Sequence, residues 1–394
     1  MPVAVASATV TQKPGESNKF SAALAKLRSE LDELLGAAEV NKTLITGKFG
    51  KLRMLQDSAT TDAEKRECSK EFYRVAERAI CTKDEETMKF VLDRYFENGV
   101  DINQYGKDSK TLLMRALEAG NAAAADELLN YAPSLGLKDS DGNDALSYVI
   151  LMKNEEDALR LATRIIDKGR LELGKKQINF ETNGKYDLNR AIEYAKQHFH
   201  DAPEITFDIN SRNHRGITNL MLAAELHKSK FFSLLLDKGA SLYMQDCDNR
   251  TVLMYAVMKK PESKEETDGM NEIVRKVVSC TNPKILKKYL DFKDKNEETA
   301  LFWSVNAGNL KAAKLLIELG ADVNTQNNMQ RTPLMKAALS GDLKLVELLV
   351  ENNADLNITD INGETARRLA LDSLKSNSPV SKFLRDHGAE LSRA

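Results

Sequence analysis

Seven short phrases in one register constrain this chain more than anything else in it. They are TLLMRAL from Thr111, DALSYVI from Asp144, TNLMLAA from Thr218, TVLMYAV from Thr251, TALFWSV from Thr299, TPLMKAA from Thr332 and TARRLAL from Thr365. The steps between them are 33, 74, 33, 48, 33 and 33 residues. A fixed period of this size marks a chain built from stacked copies of one supersecondary unit. The 74-residue step holds a worn copy, YDLNRAIEYA from Tyr186, with Leu188 and Ala191 in register. The 48-residue step holds added material. KKPESKEETDG over 259–269 predicts a polar loop, and NPKILKKYLDF over 282–292 predicts an added short helix.

Each unit has a physical reading. Thr before the apolar run is a helix N-cap, and Pro333 sits at the first helical position, where its missing N–H costs nothing. Leu334, Ala337 and Ala338 form a narrow buried face, and Gly308 or Gly341 ends the short helix. A second helix follows, as in LKLVELLVE, and closes at Gly239, Gly320 or Gly388. Asn353 takes that place once, because Asn also tolerates the left-handed region. Then come short extended stretches such as ADVN and a turn rich in Asp, Asn and Gly, as in DING over 360–363. One such unit cannot bury its own face, whereas stacked copies bury a continuous core.

These units resemble ankyrin repeats, whose pattern is D-x-x-G-x-T-P-L-H-x-A-A followed by G-A-D-V-N. The likeness runs over residues 98–391. It implies an all-α ankyrin-repeat solenoid of helix-turn-helix plus hairpin units, about seven to eight of them with some degenerate, behind an N-terminal helical region. The expected organisation is a disordered tail over 1–17, a helical cap over 18–97 and the array over 98–391, with insertions near 170–210 and 259–292. The array departs from the pattern at Pro203, which interrupts the second helix of the worn copy. It departs again at Gly169, which falls four residues late, as if that helix were a turn longer. The family's His is Met at 114, 221, 254 and 335 and Phe at 302. A Met stripe is either an adaptable binding face or core packing, and the repeat position favours packing.

Residues 18–40 place Phe20, Leu24, Leu27, Leu31 and Leu34 at alternating steps of four and three, which predicts an amphipathic helix. It is too short for a sustained coiled coil, so packing on the array is expected. A net charge of -2 leaves no overall basic field for nucleic acid, and no long apolar run predicts a membrane span. Four cysteines, Cys68, Cys81, Cys247 and Cys280, lack CxxC spacing and read as reduced, buried thiols of an intracellular protein, and no cofactor or metal is expected. His198 and His200 are the strongest hint of metal chemistry, but an i, i+2 pair does not share a helix face. No phosphate-cradling glycine loop or nucleophile elbow is present.

The expected activity is therefore non-enzymatic binding of a partner protein, and the resemblance places it on the hairpin tips and first helices. The candidate residues are His214, Arg215, Leu226, Arg250, Tyr255, Met258, Trp303, Met329, Arg331 and Lys336. Tyr148, Leu222, Tyr255, Trp303 and Lys336 share one register position, which reads either as an anchor stripe or as packing between neighbouring first helices. The resemblance also implies possible hydroxylation at Asn324 and Asn357. The divergent wording resembles that of effectors delivered by intracellular bacteria, which would make the partner a host protein. The competing readings are an enzyme in the irregular region 144–217 or the N-terminal helices, and an adaptor joining two partners.

Overall fold

The computed structural model describes residues 16–36, 42–82, 84–98, 100–131, 133–178, 207–373 and 378–391. The worn copy from Tyr186, the pair His198 and His200, and Pro203 lie outside the described residues. Among the described residues the regular elements are helices, joined in places by isolated antiparallel bridges such as Arg212 with Thr218. These residues form two compact units. The first runs up to Ser140 and takes in Leu151–Ile165 and the described residues from Leu173. The second takes Asp141–Ile150, Ile166–Glu172 and everything described from Phe207 onward.

In the first unit, α1 (Glu16–Gly36), α2 (Lys42–Ser58), α3 (Asp62–Ile80) and α4 (Glu85–Glu97) precede the first regular pair, α5 (Leu112–Glu118) and α6 (Ala122–Asn130). α3 packs on α5 and α4 on α6, so α3 and α4 already behave as a helical pair of the stack. α1 lies on α2 and α3 and buries Leu24, Leu27, Leu31 and Leu35. Leu35, rather than the expected Leu34, closes the stripe: an α-helix turns 100° per residue, so a step of four keeps it on the same face. Charge also fixes α1. The fully buried Glu71 accepts from Arg28 at 2.8 Å and from Arg74. Asp32 pairs with Arg74 at 2.6 Å and with Arg78. Burial pushes the Asp32 carboxyl up, but hydrogen bonds from the two arginines outweigh it and hold the group below its ordinary value.

After α7 (Ala145–Leu151) comes α8 (Glu155–Ile178). It runs straight through Gly169, which was expected to end it. The glycine serves close approach instead, because a Cβ there would lie 2.5 Å from the Phe207 ring. The second unit then stacks in two layers. First helices α9 (Asn219–Glu225), α11 (Val252–Val257), α14 (Ala300–Asn306), α16 (Pro333–Ser340) and α18 (Ala366–Ser373) pack on one another in order. Second helices α10 (Ser229–Asp237), α12 (Lys264–Cys280), α15 (Leu310–Glu318), α17 (Leu343–Glu351) and α19 (Pro379–Asp386) form the other layer. α13 (Pro283–Leu290) is the added helix between α12 and the next hairpin.

The caps are those the sequence predicts. Thr218, Thr251, Thr299 and Thr332 each accept a backbone N–H three residues on. The Met residues at 114, 221, 254 and 335 and Phe302 are at most 3% exposed, so this register position packs. Asn353 has a φ of 66° in the place of a closing glycine. His227 was not expected: it replaces the turn glycine of Gly308 and Gly341, with a φ of 53°. Its ring Nε2 lies 3.1 Å from the Ala256 carbonyl of the next repeat. The loop predicted over 259–269 is shorter than expected. Ser263 caps α12 from Glu266 N–H at 3.0 Å, and Glu265 and Glu266 in the first turn suit the positive end of that helix.

Candidate functional site

The hairpins begin with an Asp or Asn five residues before each Thr: Asn213, Asp246, Asp294, Asn327 and Asp360. Each uses one side-chain oxygen to accept two backbone N–H groups, two and four residues on. For Asp246 these are Asp248 and Arg250, both at 2.8 Å, and for Asp360 they are Asn362 at 2.8 Å and Glu364 at 3.2 Å. Asn213, Asp294 and Asn327 repeat the arrangement. The hairpin tip is thereby closed from inside, which leaves the side chains of its outer residues free to vary.

Adjacent tips are joined by a row of backbone hydrogen bonds. His214 N–H donates to the Asp141 carbonyl, Cys247 to Arg215, Lys295 to Asp248, Asn328 to Asn296 and Ile361 to Met329, at 2.9–3.1 Å. A second row uses the side-chain oxygen of Asn210, Asn324 and Asn357, which accept Ser241, Asp355 and Glu390 N–H at 2.8–2.9 Å. Asp291 substitutes for Asn in the interrupted repeat and accepts Asp322 N–H at 3.0 Å. Burial pushes its carboxyl above the ordinary value. Both asparagines expected to be hydroxylation targets, Asn324 and Asn357, are thus engaged in fixing neighbouring repeats.

The second oxygen of the buried aspartates reaches the first helix or the neighbouring repeat. Tyr255 hydroxyl donates to Asp246 at 2.7 Å, Trp303 Nε1–H donates to Asp294 at 3.0 Å, and Arg331 Nε–H donates to Asp360 at 3.2 Å. Tyr255 is only 2% exposed, so the structure places it as a hairpin brace rather than on an accessible surface. Burial, then the Asp246 carboxylate, raise its phenol above the ordinary value. Trp303 is half-buried, its N–H is committed, and its ring carries the Arg250 guanidinium at 5.3 Å from the centroid. Arg250 in turn meets Asp248 at 2.7 Å.

The remaining candidates separate by exposure. His214, Arg215 and Met329 are exposed at tips, and Ile361 is exposed on the tip after Met329. Leu226, Met258, Arg331 and Lys336 are half-buried at the ends or sides of first helices. Glu298 lies among Asn327, Lys336 and Arg250. Burial raises its carboxyl, the hydrogen bond from Asn327 opposes this, and Asp294 adds to the rise. The tip and first-helix surface of the second unit therefore presents a cation–ring pair, a half-buried acid and an apolar tip pair. Among the described residues no cluster of three or more His, Cys, Asp or Glu could hold a metal ion. The Asp-rich turns are plain in the sequence, whereas the brace shows there only as the fixed offset from Asp246 and Asp294 to the aromatic nine residues on, at 255 and 303.

The model of the family described as Ankyrin repeats (3 copies) matches residues 266–360 and 326–393. An L-asparaginase of Dirofilaria immitis is 27% identical over 169 residues, which is 42% of this chain and 27% of that protein. Inversin of Canis lupus familiaris is 30% identical over 127 residues, 32% of this chain and 10% of that protein. Inversin of Mus musculus gives the same identity over the same length, covering 11% of its own chain. The chain thus spans about a quarter or less of the curated relatives it matches. Residues 266–393 thus match the ankyrin-repeat family model, and capped helix pairs and closed hairpins carry the same register back to Asn213.

Proposed function

We propose that the chain is a non-enzymatic binding protein that grips a partner protein with the tips and first helices between His214 and Lys336. The observation that carries this reading is the division of labour in each hairpin. Buried Asp and Asn residues fix the backbone, while His214, Arg215 and Met329 stand exposed on a rigid support. Pre-organised side chains lose little freedom on binding. The Arg250–Trp303 pair supplies an arginine and an aromatic side by side, the residue types that dominate interfaces. Tyr255 contributes by bracing.

The reading extends to a host protein as partner and to work in the cytoplasm, on the resemblance to delivered effectors and on the free cysteines, of which Cys68 is buried as expected whereas Cys81, Cys247 and Cys280 are exposed. The test is affinity capture from host-cell extract with cross-linking, comparing the natural chain with Arg215→Glu, Met329→Ser and Arg250→Glu. Loss of the same partner from all three is expected. Retention by all three sinks the choice of surface. Release of ammonia from L-asparagine by the purified chain would overturn the non-enzymatic reading. Hydroxylation of Asn324 or Asn357 belongs to the same proposal, and peptide masses without an added oxygen after passage through host cells remove it.

A further inference from the structure

The insertion that breaks the period carries a cluster of cations. Arg275 and Lys276 lie near the end of α12, and Lys284, Lys287 and Lys288 lie on α13. All are exposed except Lys276, which is half-buried. Among the described residues none meets a carboxylate within 4 Å, although Lys287 acts on Asp291 at longer range, whereas nearby Lys238, Lys259 and Lys293 each make such a contact. Glu272 is the one acid between 272 and 288. Local structure does not account for the cluster. Lys287 and Lys288 complement the negative end of α13, but Lys284 sits in its first turn, where a cation is unfavourable. The three lysines share the side opposite Tyr289 and Leu290, which are buried. The regular repeats pass from second helix to hairpin without such an element.

Lys276, one of the cluster, lines a cleft of about 330 Å³. Leu236, Ala240, Leu242 and Tyr243 give it an apolar wall, and Lys276, Cys280 and Asp237 line its other parts. It adjoins α13, because Tyr289 donates to the Leu242 carbonyl at 3.0 Å and its ring lies 5.9 Å from that of Tyr243. Tyr243 is 50% exposed.

We infer that this insertion is a second docking surface, taking an acidic segment of a partner protein that carries one large apolar side chain. The apolar side chain enters the cleft and the acids on either side of it meet the lysines. Four of the five cations are Lys, so the cluster meets an anionic partner as point charges rather than through a bidentate fork. The apolar surface is concave, which fits a side chain rather than a lipid surface awaiting a wedge. None of these residues is a hairpin-tip residue, so the inference stands apart from the tip surface above.

The test uses the full chain and a fluorescein-labelled twelve-residue peptide of Glu and Asp with one central Phe, read by anisotropy at low salt. Binding is expected, and Lys284→Glu, Lys287→Glu and Lys288→Glu combined should weaken it about tenfold. Replacing the peptide's Phe by Ser should weaken it about threefold. These lysines are solvent-facing, and an unchanged thermal midpoint establishes that the variant is folded. No binding up to about 1 mM peptide, or binding unaffected by the triple reversal, overturns the proposal. So does tighter, lysine-dependent binding to vesicles containing phosphatidylserine or to single-stranded DNA.

Discussion

The repeat from Thr332 and the repeat from Thr251 follow the same rule in their first half and part in their second. Both open with a Thr cap, bury a Met three residues on, and follow a hairpin closed by a buried Asp or Asn. The regular repeat then turns at Gly341 into the short α17. The interrupted one makes a loop, the longer α12 and the extra α13 before its next hairpin begins. What is kept is what neighbouring repeats share. What is added lies after the last buried contact of the first helix and before the next closed turn. An insertion there leaves both rows of inter-repeat hydrogen bonds in register.

That contrast can be broken hardest at Gly269. α12 passes so near His227 that a Cβ on Gly269 would lie 2.2 Å from its carbonyl oxygen. Gly269→Ala should cost about 2–3 kcal/mol in chemical unfolding, because backbone must move. α15 buries Ala312 and Ala313 without such a constraint. An unaffected Gly269→Ala would mean that α12 is held loosely. Next comes the hairpin brace. Asp294→Ala leaves two backbone N–H groups and the indole N–H without their acceptor and should lose about 2 kcal/mol. Asp360→Ala should lose a similar amount, since Arg331 replaces the indole there. A large gap between the two would show that the interrupted repeat depends on its hairpin differently. Thr332→Val and Thr251→Val remove equivalent caps and should each cost about 1 kcal/mol by thermal unfolding.

The smallest effect is a pH dependence confined to the turn before the interrupted repeat. Burial lowers the His227 pKa, the Ala256 carbonyl and the nearby Glu266 and Glu225 partly oppose this, and Lys259 adds to the lowering. The unfolded chain therefore takes up its proton first as pH falls below about 6.5. The stability contribution is complete above that value and is lost as pH drops toward the folded pKa. His227→Asn tolerates the positive φ, cannot titrate and should flatten this part of the profile. An identical slope in the variant would assign the dependence to other groups.

Much of this was legible because it is local. Thr332, Pro333 and Gly341 act within one turn of helix, and Met335 follows from their register. The added helix from Pro283 was legible for the same reason, with Asn282 as its cap. What was hidden depends on closure in space. Only the nine-residue offset from Asp246 to Tyr255 and from Asp294 to Trp303 hints that each reaches back to a buried carboxylate, and taken singly both read as anchors or as packing. Gly169 looked like a helix end, and only the approach of Phe207 explains it. His227 stands where glycine is usual, and its reason is a carbonyl one repeat away.

Trp303 has a practical consequence. It is the chain's single tryptophan. Its ring nitrogen holds a hairpin carboxylate and its face supports Arg250, a candidate contact residue. The molecule thus contains one indole fluorophore, excited apart from its tyrosines at the red edge, mounted between its scaffold and its working surface. Any partner that pulls on Arg250, or tilts that hairpin, should change the emission of a single, already assigned chromophore. Such a gauge needs no label, and it could be read before the partner has a name.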